Sequence, residues 1–79
     1  MKQRIEINTI GQSCPMPLLM LKKAMKKIDP SEWQHYEFLV QASDPNSRVD
    51  LARYCEIHQL DCFAQEVSEH EFHYLICSK

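Results

Sequence analysis

Two prolines separated by a single residue, Pro15 and Pro17, stand directly before a periodic apolar run, and they fix where a helix can begin. Inside a helix a proline removes a hydrogen bond and clashes with the preceding turn. In the first turn its missing N–H is no loss and its fixed φ is already helical. The stretch GQSCPMPLLMLKKAM, residues 11–25, therefore reads as a turn followed by a helix start that presents Cys14. Gly11 is the only glycine in the chain, so its place in that turn marks a backbone constraint. Leu18, Leu21, Met25 and Ile28 recur at intervals of three and four with Ala24 on the same side, which predicts a helix over residues 15–28. DPSEW, residues 29–33, ends it, because the residue before a proline resists helical geometry.

The remaining segments have other periods. Residues 3–8, QRIEIN, alternate polar and apolar with Ile5 and Ile7 on one side, which predicts a short strand followed by a turn over 9–13. Tyr36, Phe38, Val40 and Ala42 alternate in the same way and predict a strand over 36–42. SDPNS, residues 43–47, opens a second helix, with Ser43 or Asp44 as cap and Pro45 in the first helical position. That helix is expected to run to about residue 59, with Leu51, Tyr54, Cys55 and His58 as its buried stripe. Strands over 61–67 and 71–77, joined by the short SEHE, make an antiparallel hairpin. The order β-α-β-α-β-β, with right-handed crossovers and strands added in one direction, places both helices on one face of a four-stranded mixed sheet. The expected class is α+β, a two-layer α/β sandwich forming a single domain over residues 1–79.

At 79 residues such a domain buries only about 60% of its unfolded surface, so the core is thin. A net charge of −2 argues against general nucleic-acid binding by bulk electrostatics. No apolar run reaches membrane-spanning length, and Met1-Lys2-Gln3-Arg4 leads straight into the alternating segment rather than a signal peptide, so a cytoplasmic location is expected. The cysteines, at 14, 55, 62 and 77, show no C-x-x-C spacing, which removes the simplest zinc and dithiol readings.

Cys14 precedes a helix whose first N–H groups and positive dipole end favour an anion. A free cysteine has a pKa of about 8.5, and a helix N-terminus lowers it, so an exposed thiolate is expected. The same field would hold a persulfide, R–S–S⁻. No histidine or carboxylate lies within the motif to serve as a base. The competing reading is a small buried cysteine that happens to precede a helix. Opposite the core stripe the first helix carries Lys22, Lys23, Lys26 and Lys27 beside Met16 and Leu19. Met16, Leu19, Lys22, Lys23 and Lys26 make a docking patch for an acidic partner; the plainer reading is a solvated helix face.

The GQSCPMP segment resembles the Cys-Pro-x-Pro motif of the TusA-like (SirA-like) sulfur carriers. The resemblance covers most of the chain: the short opening strand, the motif, IDP after the first helix, SDPNS opening the second, Cys55 within it, and the closing YLI strand. Ser13 and Met16 stand where well-known members often carry a basic and an acidic residue. The resemblance implies that Cys14 accepts sulfur as a persulfide and passes it on, with Gly11, Pro15 and Pro17 supporting its turn. It implies protein partners, a donor such as a cysteine desulfurase and an acceptor protein, in a relay such as tRNA thiolation or cofactor sulfuration. No metal or organic cofactor is implied, nor direct binding to a membrane or nucleic acid, and the free carrier is expected to be a monomer. The alternative function is a non-catalytic regulatory module of the same fold, binding a partner through the Met16-Leu19-lysine face.

Other residues carry weaker signals. Cys55 reads as core. Cys62 and Cys77 read as packed thiols, with a disulfide across the hairpin as the alternative. His70 and His73, with Cys62 or Cys77, would offer zinc ligands, against a plainer reading as exposed histidines. Asp44 reads as a helix cap rather than an acid catalyst.

Overall fold

The alternating run at the start of the chain forms β1 (Gln3–Thr9), and β2 (Tyr36–Ala42) lies parallel beside it, in register from Gln3 opposite Tyr36 to Thr9 opposite Ala42. A parallel pair cannot be joined by a hairpin and needs a crossover. That crossover is α1 (Met16–Lys26), followed by a 3-10 helix over Pro30–His35. The computed structural model describes residues 3–78; Met1, Lys2 and Lys79 of the expected 1–79 domain lie outside the described residues. After β2 come α2 (Ser47–Ile57), β3 (Leu60–Ser68) and β4 (Glu71–Ser78), the last two joined by a two-residue turn at Glu69 and His70.

The strand order is β1-β2-β4-β3. β4 is antiparallel to both neighbours, so it inserts between β2 and β3 and makes the sheet mixed. Both helices pack on one face, which gives the expected two-layer α+β sandwich. Register and pleat put Ile5, Phe38, Ile76 and Cys62 in one row toward the helices, and Ile7, Val40, Tyr74 and Ala64 in the next. Leu21 and Met25 from α1 and Leu51 and Cys55 from α2 close over these rows. No helix among the described residues is long and apolar enough to cross a membrane.

Several boundaries and burials differ from the sequence-based expectation. α1 is two residues shorter at its C-terminal end than predicted. The Trp33 indole N–H donates to Met25 O and Ile28 O, each at 3.2 Å, which satisfies carbonyls that another turn of helix would have used. Asp29 caps the following 3-10 helix by accepting from Ser31 N–H at 3.0 Å. Pro17 is buried as well as helix-starting. His58, expected in the buried stripe of α2, is exposed, its ring tilted 45° to that of Tyr54 with centroids 4.4 Å apart. Cys62 and Cys77 do not face each other: Cys62 is opposite Ile76 and Cys77 opposite Asp61, so the two thiols point to opposite faces of the sheet. The hairpin disulfide is thereby excluded.

The two faces of α1 predict opposite outcomes for the same truncation. Leu21 is fully buried and Leu19 is 47% exposed. Leu21→Ala should cost about 2–5 kcal/mol in urea unfolding, and Leu19→Ala no more than about 0.5 kcal/mol.

Candidate functional site

Because β1 and β2 run parallel, the loops that follow them leave the sheet at the same end. The loop after β1 carries Gly11 and Cys14, and the loop after β2 carries Ser43 and Asp44. Hydrogen bonds join the two loops. Thr9 Oγ1 donates to Gln41 O at 2.7 Å, Gly11 N–H to Ser43 Oγ at 2.8 Å, and Cys14 N–H to Asp44 Oδ2 at 2.7 Å. Gly11 has φ +87°, a left-handed conformation that side chains rarely adopt, as its position in the turn implied. The Cys14–Pro15 peptide is cis.

Cys14 is half-buried at this junction, and its thiol donates to Asp50 Oδ2, from the first turn of α2. The expected thiolate is not the state this geometry favours. The hydrogen bond to Asp50 is the largest influence, followed by partial desolvation and the charges of Asp50 and Asp44, and together they raise the pKa of Cys14 above its ordinary value. The helix tip offers little to oppose them. Met16 N–H is already bonded to Ser13 O at 2.8 Å, and Pro17 has no N–H. The sulfur of the free chain is a hydrogen-bonded thiol.

Asp44 does not cap α2 itself. The helix begins at Ser47, after Asn46, with no side-chain cap bond. Instead the Asp44 carboxylate accepts from Cys14 N–H and from Asn46 N–H, the latter at 2.9 Å, and these bonds hold its pKa below the usual carboxylate value. Its main-chain oxygen accepts from the buried Ser47 hydroxyl at 2.7 Å. Asp44 thus ties the cysteine turn to the start of α2. Asp50, which sequence reasoning passed over, sits beside it. Its signal was its place six residues beyond Asp44 at a helix start, together with two parallel strands that bring both helix starts to one end.

The expected docking patch is only partly one surface. Met16, Leu19, Lys23 and Lys26 are all exposed and follow helical spacing along the outer side of α1. Lys22 turns away, half-buried, with Nζ 5.5 Å from the centre of the Tyr54 ring. Of the other cysteines, Cys55 is 1% exposed and beside Cys62, whose hydrogen bond, with burial, pushes the Cys55 thiol up. His73 lies on the open face of the sheet, 2.7 Å from Glu71 Oε2, and His70 is exposed in the hairpin turn. Among the described residues no cluster of three His, Cys, Asp or Glu side chains suits a metal ion.

A family model described as sulfurtransferase TusA matches residues 5–78. Among solved structures, the crystal structure of a SirA-like protein from Desulfitobacterium hafniense is similar, with a TM-score of 0.79 and 21% sequence identity over 94% of this chain and 97% of that one. At that identity the likeness establishes the fold.

Asp44 makes the site acid-sensitive. Its folded pKa lies below its unfolded value, so its contribution to stability is present above about pH 4 and is lost as pH falls through the folded value. Asp44→Asn should unfold at lower urea than the wild type at pH 7, and the gap should narrow as the pH drops below about 4.

Proposed function

Since the chain belongs to the sulfurtransferase TusA family, we propose that it is a sulfur carrier that takes up sulfur as a persulfide on Cys14 and hands it to an acceptor protein. The observation that carries this reading is the placement of the Cys-Pro-x-Pro cysteine. It sits half-buried at the junction of two helix starts, reachable from solvent, on a turn held by Gly11, Pro15 and Asp44. Cys55, on α2, is by contrast sealed in the core, where a thiol is inert.

The transfer needs no oxidant. Cys14 Sγ, as thiolate, attacks the terminal sulfur of a donor persulfide. A new S–S bond forms at Cys14, the donor's S–S bond breaks, and its electron pair stays on the donor cysteine, which takes up the proton Cys14 gave up. Discharge repeats the exchange with an acceptor as the attacking thiol. The donor is a persulfide-forming enzyme of the cysteine desulfurase type, and the sulfur ends in a thiolated product such as a tRNA base or a cofactor. The stripe of Met16, Leu19, Lys23 and Lys26 is the surface on which an acidic partner docks beside Cys14.

Incubation with a cysteine desulfurase and L-cysteine should add the mass of one sulfur atom to the intact chain, and Cys14→Ser should abolish the gain. No gain in the wild type, with partner binding preserved in Cys14→Ser, would favour the regulatory module instead. Reversing Lys23 and Lys26 to Glu should slow loading about threefold to tenfold at low salt and less at high salt. Lys22→Glu alone should cost less, because its ammonium already rests over Tyr54.

A further inference from the structure

A carrier of this kind needs a nucleophile at Cys14, yet the free chain turns that sulfur into a hydrogen-bond donor. The acceptor, Asp50, belongs to α2, and the parallel strands bring it there across 36 residues of sequence. It lies in the first turn of α2. An ionised carboxylate that accepts from S–H stabilises the thiol over the thiolate.

The charged groups acting on Cys14 are Asp50 and Asp44, and both oppose ionisation. Among the described residues the ion pairs are Arg4–Glu37, Glu32–His35 and Glu71–His73. None involves Asp44 or Asp50. Asp44 has its two backbone N–H donors, whereas the hydrogen-bond donor to the Asp50 carboxylate, among the described residues, is the Cys14 thiol. The site therefore presents a carboxylate outside those ion pairs at the reacting sulfur, at the N-terminal end of the helix whose outer side carries the exposed Lys23 and Lys26. A complementary partner would place acidic groups against Lys23 and Lys26 and a cation against Asp50.

We propose that Asp50 gates the nucleophile: it holds the unloaded Cys14 as a hydrogen-bonded thiol until a cationic side chain of the docked sulfur donor pairs with its carboxylate and frees the sulfur for attack. The gate rests on the carrier reading and adds to it a requirement on the donor, an Arg or Lys close to its own persulfide. The released proton follows the route already given, to the donor cysteine, and the carboxylate ends paired with the cation. The gate also keeps an empty carrier from reacting with adventitious electrophiles, since the thiolate is the reactive form.

The test is the rate of Cys14 alkylation by iodoacetamide across pH, read by peptide mass so that Cys55, Cys62 and Cys77 do not interfere. In the free chain at pH 7, Asp50→Asn should alkylate about threefold to tenfold faster than the wild type, and Asp50→Glu should stay close to the wild type. Sulfur loading by a cysteine desulfurase should not rise in proportion, because the docked donor lifts the same restraint from the wild-type chain. Equal alkylation in Asp50→Asn and wild type overturns the gate. Loading that rises in step with alkylation overturns the donor's part in it. Should Asp50→Asn fail to fold, the wild-type chain still decides: its Cys14 should alkylate more slowly than the cysteine of the peptide GQSCPMP, and a faster rate overturns the proposal. A wild-type chain that loads no sulfur sinks the carrier reading and leaves these rates standing, whereas normal loading with unshifted rates sinks the gate alone.

Discussion

The parallel pairing of β1 with β2 is the constraint on which the site depends. Antiparallel neighbours would send their following loops to opposite ends of the sheet. Parallel ones send both to the same end, and the crossover helix that joins them must start there. Cys14 before α1 and Asp44 and Asp50 around the start of α2 meet for that reason, although 30 and 36 residues separate them. The bonds from Thr9 to Gln41 and from Gly11 to Ser43 then lock the two loops into one unit. Within that unit the Asp44 carboxylate is the joint, accepting from main-chain N–H groups on both sides.

The state of the sulfur follows from a local balance rather than from the helix dipole alone. A helix N-terminus lowers a thiol pKa through free N–H groups aimed at it. Here one of those groups is bonded to Ser13 and another is missing at Pro17. Two carboxylates oppose ionisation, and one of them accepts a hydrogen bond from the thiol itself. The prolines that place the cysteine therefore also weaken the field that would have ionised it. Met16 and Leu19 are exposed on the outer side of α1, while the thiol itself meets the Asp50 carboxylate.

Much of the fold could be read from period and punctuation. The alternation of Phe38, Val40 and Ala42 marks the face of β2 that is buried, and the three-four spacing of Leu21 and Met25 marks the core side of α1. The hairpin was legible in its short turn, and the glycine turn in its single Gly11. The insertion of β4 between β2 and β3 was not, because a hairpin identifies two neighbours without saying which of them joins the rest of the sheet. His58 misled because its helical spacing suited the core, whereas α2 ends at Ile57 and the ring lies exposed, tilted against Tyr54. Asp50 was invisible because nothing in the sequence near Cys14 announces a carboxylate contributed by another helix. Charge reaching a residue through the fold cannot be counted along the chain.

The arrangement of the thiols has a further consequence. Cys55 and Cys62 face each other inside the sandwich, and Cys77 looks out from the opposite side of the sheet. Cys14 stands apart from them, at the tip where two helices begin. Among the described residues it has no resolving cysteine, so an added sulfur or oxygen atom on it cannot collapse into an intramolecular bridge. On the carrier reading, whatever Cys14 acquires stays until a second molecule arrives, and that isolation makes one half-buried sulfur a one-place store emptied by collision.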